Sequence, residues 1–375
     1  MQIFSMKNLV SLIFNLIFLL VLILWISILI RKKAKTDDIL IIVLMLVSFF
    51  CVMINSIIAE SILSFDYMKK LLMFFSTLVF FQCARKINIS REYLRFLKIL
   101  LTFTASIVCF LYIILDKSIL YYLNGRVTQY LTFGFTNPNL TALFLFSFAA
   151  FQFAMIFCAN TMIMRAGHLI LALFLSYLVV ETQSRNVMLC MIALYFLSIF
   201  VIFSRKSKFV LKTWVAFFVT IFPILFSGLY LWFFKTGSLN MFVAFSREGK
   251  ALDARVSMWN MAFERFQDSP IVGAYSQISY GTGASQMHNT HVDVLASYGI
   301  IAFVIFIFWL FGLLINDNKI YTKKSYFYLL CFICCIFTGM GEAALISGGL
   351  GIYIFMGMFI FLRNQDDEFS IKGLP

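Results

Sequence analysis

The sequence predicts an all-α integral membrane protein with about eleven transmembrane helices and one large extracytoplasmic loop. Three observations lead there. Of 375 residues, 62% are hydrophobic and only 13% charged, with a mean hydropathy of +0.95. A soluble chain of this length carries far more charge on its surface. The apolar runs are long and unbroken, unlike the short alternating segments of a membrane barrel. The basic residues stand at the ends of those runs, as cytoplasmic anchors of helices do.

A hydrocarbon core takes roughly 20 apolar residues per helix. Runs of that kind fall at 9–30, 39–59, 69–84, 95–115, 138–158, 166–181, 186–204, 211–234, 294–315, 325–345 and 347–362. The first is too long for the core of a signal peptide and ends in Arg31, Lys32 and Lys33 without a small-residue cleavage pattern. It reads as a retained helix.

Charge sets the orientation. Alternate connections hold Arg31, Lys32, Lys33 and Lys35, then Arg85, Lys86, Arg91 and Arg95, then Arg165. The series continues with Arg205, Lys206, Lys208 and Lys212, then Lys319, Lys323 and Lys324, with Arg363 and Lys372 in the tail. The opposite connections are poorer, with mainly Lys7, Lys69, Lys70, Lys117, Arg126 and Arg185 outside one long loop. The bias puts the N-terminus outside and the C-terminus inside, which requires an odd number of spans. The net charge of +13 is explained this way, and nucleic acid is not a partner.

Residues 1–375 read as a single membrane domain, with 235–293 inserted as an extracytoplasmic loop between the eighth and ninth spans. Long loops with local structure usually carry function. Within it, 255–267 has apolar positions 256, 259, 262, 263 and 266, the spacing of an amphipathic helix lying on a membrane or over a cavity. The cysteines lie in or beside apolar stretches. The cluster Cys331, Cys334 and Cys335 lacks zinc-like spacing and reads as small core residues.

Candidate chemistry gathers on the outer side. Arg185, in the short link between the sixth and seventh spans, sits near the lipid–water boundary. There it serves as a snorkelling anchor or binds an anion. Arg247 and Arg255, with Lys250 between them, are a solvated loop face or a patch for phosphate, which the planar guanidinium fork suits. His288 and His291 mark the return into the ninth span with Asn289 and Asp293, and a histidine can act as a base near neutral pH. If the helix already starts there, the two histidines share a face. Glu342, near the end of the tenth span, is a site candidate because acids in membranes are costly. Asn137 precedes Pro138 at the start of the fifth span, ordinary capping chemistry. His168, near an inner helix end, reads as structural.

Four segments in series resemble one family, the O-antigen ligase and polymerase superfamily of bacterial membrane glycosyltransferases. They are Gly134-Phe-Thr-Asn-Pro-Asn139; Thr182-Gln-Ser-Arg185; Ala254-Arg-Val-Ser-Met-Trp259 with Ser269-Pro-Ile-Val-Gly273; and His288-Asn289 with Val292, Leu295 and Gly299. The resemblance covers roughly residues 130–315. It departs at Asn186 and Ala302, where the family often has Gly, and at Ala274-Tyr275, where a second Gly is expected.

The resemblance implies a GT-C-like enzyme in a bacterial cytoplasmic membrane, acting on its outer face without a cofactor. It would polymerise polyprenyl-pyrophosphate-linked oligosaccharide repeats into an O-antigen, capsule or exopolysaccharide. Arg185, Arg255 and His288 would be catalytic, and Arg247, Asn289, Glu342 and Asn137 would bind substrate. A chain-length regulator and a flippase would be protein partners. No Asp-x-Asp element stands in the outer loop, in keeping with a metal-independent, inverting transfer. A ligase moving a finished lipid-linked glycan to another acceptor is the second reading. A glycan or lipid transporter is the third; it would place polar residues in mid-span and show paired repeats.

Overall fold

The computed structural model describes residues 23, 25–27, 36–58, 65–86, 89–123, 126–135, 137–206, 208–236, 251–274, 287–315, 320–342, 354–355 and 357–361. The protein is an all-α membrane-type bundle. Its helices are α1 (Thr36–Ile58), α2 (Phe65–Lys86), α3 (Arg91–Ile114), the short α4 (Lys117–Leu120), α5 (Pro138–Cys158), α6 (Met162–Glu181), α7 (Arg185–Phe203), α8 (Thr213–Lys235), α9 (Ala251–Asp268), α10 (Thr290–Ile315) and α11 (Lys323–Thr338). The second to tenth apolar runs each coincide with one of these helices. The runs 9–30 and 347–362 lie largely outside the described residues. Among the described residues, seven helices are long and apolar enough to cross a membrane, and Leu71–Ala84 is a shorter apolar stretch.

Two small antiparallel ladders tie chain segments at opposite ends of the bundle. The first pairs β1 (Tyr122–Leu123) with β2 (Arg126–Val127). The second pairs β3 (Lys208–Val210) with β4 (Ile320–Thr322) and joins the start of α8 to the start of α11. Helix α5 forms the centre: it runs along α6, and most of its side chains are buried. By contrast α3 turns Phe96, Phe103 and Phe110 outward, as a lipid-facing helix must.

The segment between α8 and α10 contains the expected amphipathic helix as α9. Val256, Trp259 and Ala262 are buried, and Phe263 packs partly against them, facing Tyr230 and Leu231 of α8 and Val292 and Ala296 of α10. The Trp259 indole N–H donates to the Met287 carbonyl at 2.8 Å.

Helix α10 is interrupted. Gly299 has φ +79° and ψ −179°, so the chain steps out of helical geometry and frees backbone groups. The turn after α9 takes them up: Ala274 N–H donates to the Ala296 carbonyl at 2.8 Å, and Ile300 N–H to the Pro270 carbonyl at 2.9 Å. This is how broken helices survive where water is scarce. The Asn55 side chain of α1 donates to the Val272 carbonyl at 2.8 Å and pins the same turn. The approach is so close that a Cβ on Gly299 would lie 2.0 Å from the Ile271 carbonyl oxygen, and one on Gly273 (φ +72°) 2.6 Å from the Ser297 backbone.

The glycines give a paired prediction. Gly134 also has positive φ (+77°), but nothing lies within 4 Å of its virtual Cβ. Gly134→Ala should cost only the backbone strain, on the order of 1–2 kcal/mol. Gly299→Ala adds the collision with Ile271 and should prevent accumulation of folded protein. Membrane levels and thermal unfolding in detergent check both.

Candidate functional site

Of the polar residues singled out above, Arg255, His288 and Glu342 meet at one end of the bundle, where α5, α7 and α10 begin and α11 ends. The tenth apolar run stops being helical earlier than expected. Helix α11 closes at Thr338, and Gly339-Met-Gly-Glu342 forms a turn with N–H donation from Gly339 to the Ile336 carbonyl at 3.0 Å. That turn carries Glu342 into the polar centre instead of leaving it on a helix.

Glu342 is only 2% exposed. Its Oε1 accepts from the Asn139 side chain of α5 at 2.5 Å and faces the Arg255 guanidinium of α9 at 3.7 Å. Its Oε2 faces His288 Nδ1 at 3.1 Å. Its backbone carbonyl accepts from the Thr290 hydroxyl at 3.2 Å. A carboxylate out of water must be paired and hydrogen-bonded, and this one is, from α5, α9 and the entry to α10. Arg255 and His288 remain 31% and 22% exposed, so both can also reach a ligand.

His288 precedes α10 and has φ +49°, a left-handed conformation that costs a side-chain-bearing residue free energy. Helix α10 begins at Thr290, so the two histidines do not share a helical face. His291 is wholly buried and its Nε2 meets the Thr220 carbonyl at 2.8 Å. Asn289 is also wholly buried and caps α10. Its side-chain oxygen accepts from the N–H groups of His291 and Val292 at 2.9 and 3.1 Å, while its amide donates to the Pro223 carbonyl at 3.1 Å. These bonds hold the start of α10 against α8 near Pro223, where a proline interrupts the helical ladder. Asn137 likewise caps α5, accepting from Asn139 N–H at 2.9 Å. Both asparagines thus spend their side chains on helix starts.

Helix α7 begins differently. Gln183 has φ +54°, Ser184 makes no side-chain cap bond, and Arg185 is the first helical residue. Arg185 is partly exposed, and its side chain makes no hydrogen bond or ion pair to a described residue. Its neighbour Asn186 donates to the Thr338 carbonyl at 2.9 Å and packs on Gly341, where a Cβ would come within 2.6 Å of the amide. The start of α7 therefore abuts the turn that carries Glu342. An uncapped helix N-terminus with a guanidinium is a receptor for anionic oxygen. Arg247 and Lys250 lie outside the described residues. His168 lies at the far end of the bundle, mostly buried, with Nδ1 2.7 Å from the Gln152 side-chain oxygen.

Sequence reasoning gave no role to Asn139 or Thr290, although both stand inside quoted motifs. The only sign in the sequence was their place beside Asn137 and Asn289.

The fold and this centre define a multi-pass helical membrane protein with cationic and histidine side chains around one buried carboxylate at its helix ends. Residues 170–307 match the family model described as O-antigen ligase, in agreement with the O-antigen ligase and polymerase superfamily that the motifs resemble. The match includes Arg185, Arg255 and His288, while Asn139 and Glu342 flank it. No curated protein matches the chain.

The capping roles make a prediction. Asn289→Ala and Asn137→Ala should each destabilise the protein by about 1–2 kcal/mol. Asn289→Ala should cost more, because it also strands the buried Pro223 carbonyl. Thermal unfolding of the purified variants measures both.

Proposed function

We propose that the protein is a metal-independent, inverting glycosyltransferase of a bacterial cytoplasmic membrane. It would polymerise polyprenyl-pyrophosphate-linked repeat units on the extracytoplasmic face. The observation that carries the reading is that His288 and Arg255 meet on Glu342, while the uncapped start of α7, which bears Arg185, abuts the turn that carries Glu342. This lies in a chain with an O-antigen ligase match.

The chemistry follows from the roles these groups can fill. The acceptor hydroxyl oxygen forms a bond to the anomeric carbon of the donor as that carbon's bond to pyrophosphate oxygen breaks. The electron pair leaves with the polyprenyl pyrophosphate. Arg185, Arg255 and the first-turn N–H groups of α7 would neutralise the charge growing there, as fixed donors do best in a site shielded from water. His288 would take the hydroxyl proton. With its Nδ1–H donating to Glu342 Oε2, its Nε2 keeps the lone pair that a base needs. Glu342 thus sets the tautomer and orientation of the imidazole, as the carboxylate does in a catalytic triad. Attack opposite the leaving group inverts the anomeric centre. A lipid-linked donor suits a site at helix ends, because its tail can stay in the bilayer while its head meets the cations.

The match to an O-antigen ligase family favours a second reading: transfer of the lipid-linked glycan to an acceptor other than another repeat. The same residues would serve it.

Arg185→Ala, Arg255→Ala and His288→Ala should each lower transfer by about 10²–10⁴-fold, with membrane levels maintained. Arg255→Lys should not restore it, because an ammonium lacks the planar fork. The surface glycan run on a gel decides. Loss of the long-chain ladder with single repeats persisting supports the polymerase. Loss of all transferred glycan while long lipid-linked chains accumulate supports the ligase. An unchanged ladder in all three variants overturns the catalytic assignment.

A further inference from the structure

A second feature stands at the opposite end of the bundle, about 30 Å along α5 from Asn139. It is a cavity of about 1000 Å³ between the start of α3, the end of α5, the start of α6 and the start of α11. Its mouth carries Arg91, Arg95, Lys98 and Lys324, and no Asp or Glu is among its described lining residues. Arg91, Arg95 and Lys98 follow one another at helical spacing on one face of α3. Arg95 and Lys324 make no ion pair with a described residue, and Lys98 stands 5.4 Å from the Phe361 ring centroid. Like charges gathered at one mouth repel one another, and an anion among them relieves that repulsion.

Beyond the cations the same α3 face offers two hydroxyls, Thr102 and Ser106, and then apolar walls from Phe103 and Leu171. The outer surface of α3 beside the cavity is apolar, with Phe96 62% and Phe103 62% exposed. A small soluble anion would gain nothing from those walls. An amphiphile gains from both parts, its head on the cations and its chains along apolar helices.

We propose that this cavity binds an anionic phospholipid from the leaflet on the side of the basic connections. The phosphate lies among Arg95, Lys98 and Lys324, and the acyl chains run between α3 and α6. The site does not depend on the proposed transferase chemistry, and none of its residues belongs to the polar centre around Glu342.

The test uses the full-length protein purified in mild detergent. It is offered phosphatidylglycerol and phosphatidylcholine in equal amounts, and bound lipid is counted by native mass spectrometry. Phosphatidylglycerol should be retained preferentially. Replacing Arg95, Lys98 and Lys324 together by Gln should weaken its retention at least about tenfold, leaving phosphatidylcholine unchanged. Gly167 lines the cavity with open space where a side chain would start, so Gly167→Trp should expel the lipid without altering charge. Equal retention of the two lipids overturns the proposal, as does retention unaffected by either substitution. Displacement of phosphatidylglycerol by an equal amount of polyprenyl phosphate also overturns it, and would make the cavity a carrier-lipid site. Should the triple variant not fold, the Gly167→Trp result decides.

Discussion

The end of the bundle that holds the candidate site depends on the burial of one carboxylate. Removing Glu342 from water is expensive, and the cost is offset only if its oxygens are met by donors in good geometry. Those donors come from Asn139, His288 and Arg255, residues far apart in sequence. Satisfying the acid therefore fixes where α5 starts, where α9 lies and how the chain enters α10. The demand of one group becomes the alignment of several helices. It also explains why α9, a helix outside the apolar runs, docks on α8 and α10: its Trp259 fills the apolar gap while Arg255 completes the polar one.

Strain accompanies this alignment. Three residues with side chains have left-handed φ among the described residues: Phe133, Gln183 and His288. Each lies in the few residues that lead into α5, α7 or α10, the helices that start at the site. Such conformations persist only where the surroundings over-determine them. Before α5 and α10 the caps Asn137 and Asn289 and the Glu342 contacts supply that constraint, and at the start of α7 the Asn186–Thr338 bond does. The Gly273–Gly299 crossing works in the same direction. It locks the turn after α9 into the break in α10, so that α9 cannot shift without reopening freed backbone groups in a membrane.

Much of this architecture was legible in the sequence. Unbroken apolar runs gave nine of the helices, and apolar spacing over 255–267 gave α9, because solvent preference and helical periodicity are local properties; the single turn α4 has no such signal. Glu342 was visible as an acid at a helix end, but its partners were not. The pairings Asn139–Glu342 and Arg255–Glu342 join residues 203 and 87 positions apart, and no local pattern encodes them. The early end of α11 was hidden for a related reason. Hydropathy continues past Thr338 because the turn is itself buried, so composition could not distinguish turn from helix. Arg91 and Arg95 of α3 were read as topology anchors. Only packing against α6 and α11 shows that they also rim a cavity.

Asn186 shows how a departure from a family pattern can be absorbed. A Gly is frequent after the Ser-Arg pair, and a small residue there would let another backbone approach α7. In this chain the side chain is larger, and the space is found on the other partner: Gly341 leaves room for the Asn186 amide, which donates to Thr338. The close approach between α7 and the end of α11 is thus kept, with the missing side chain moved from one helix to the facing turn. The exchange adds a hydrogen bond that glycine could not make, and a bond across low-dielectric packing resists sliding more than contact alone. Arg185, one residue earlier, is held in place by this bond although it has no described partner of its own. Its guanidinium is free to meet an anion because its neighbour carries the structural role.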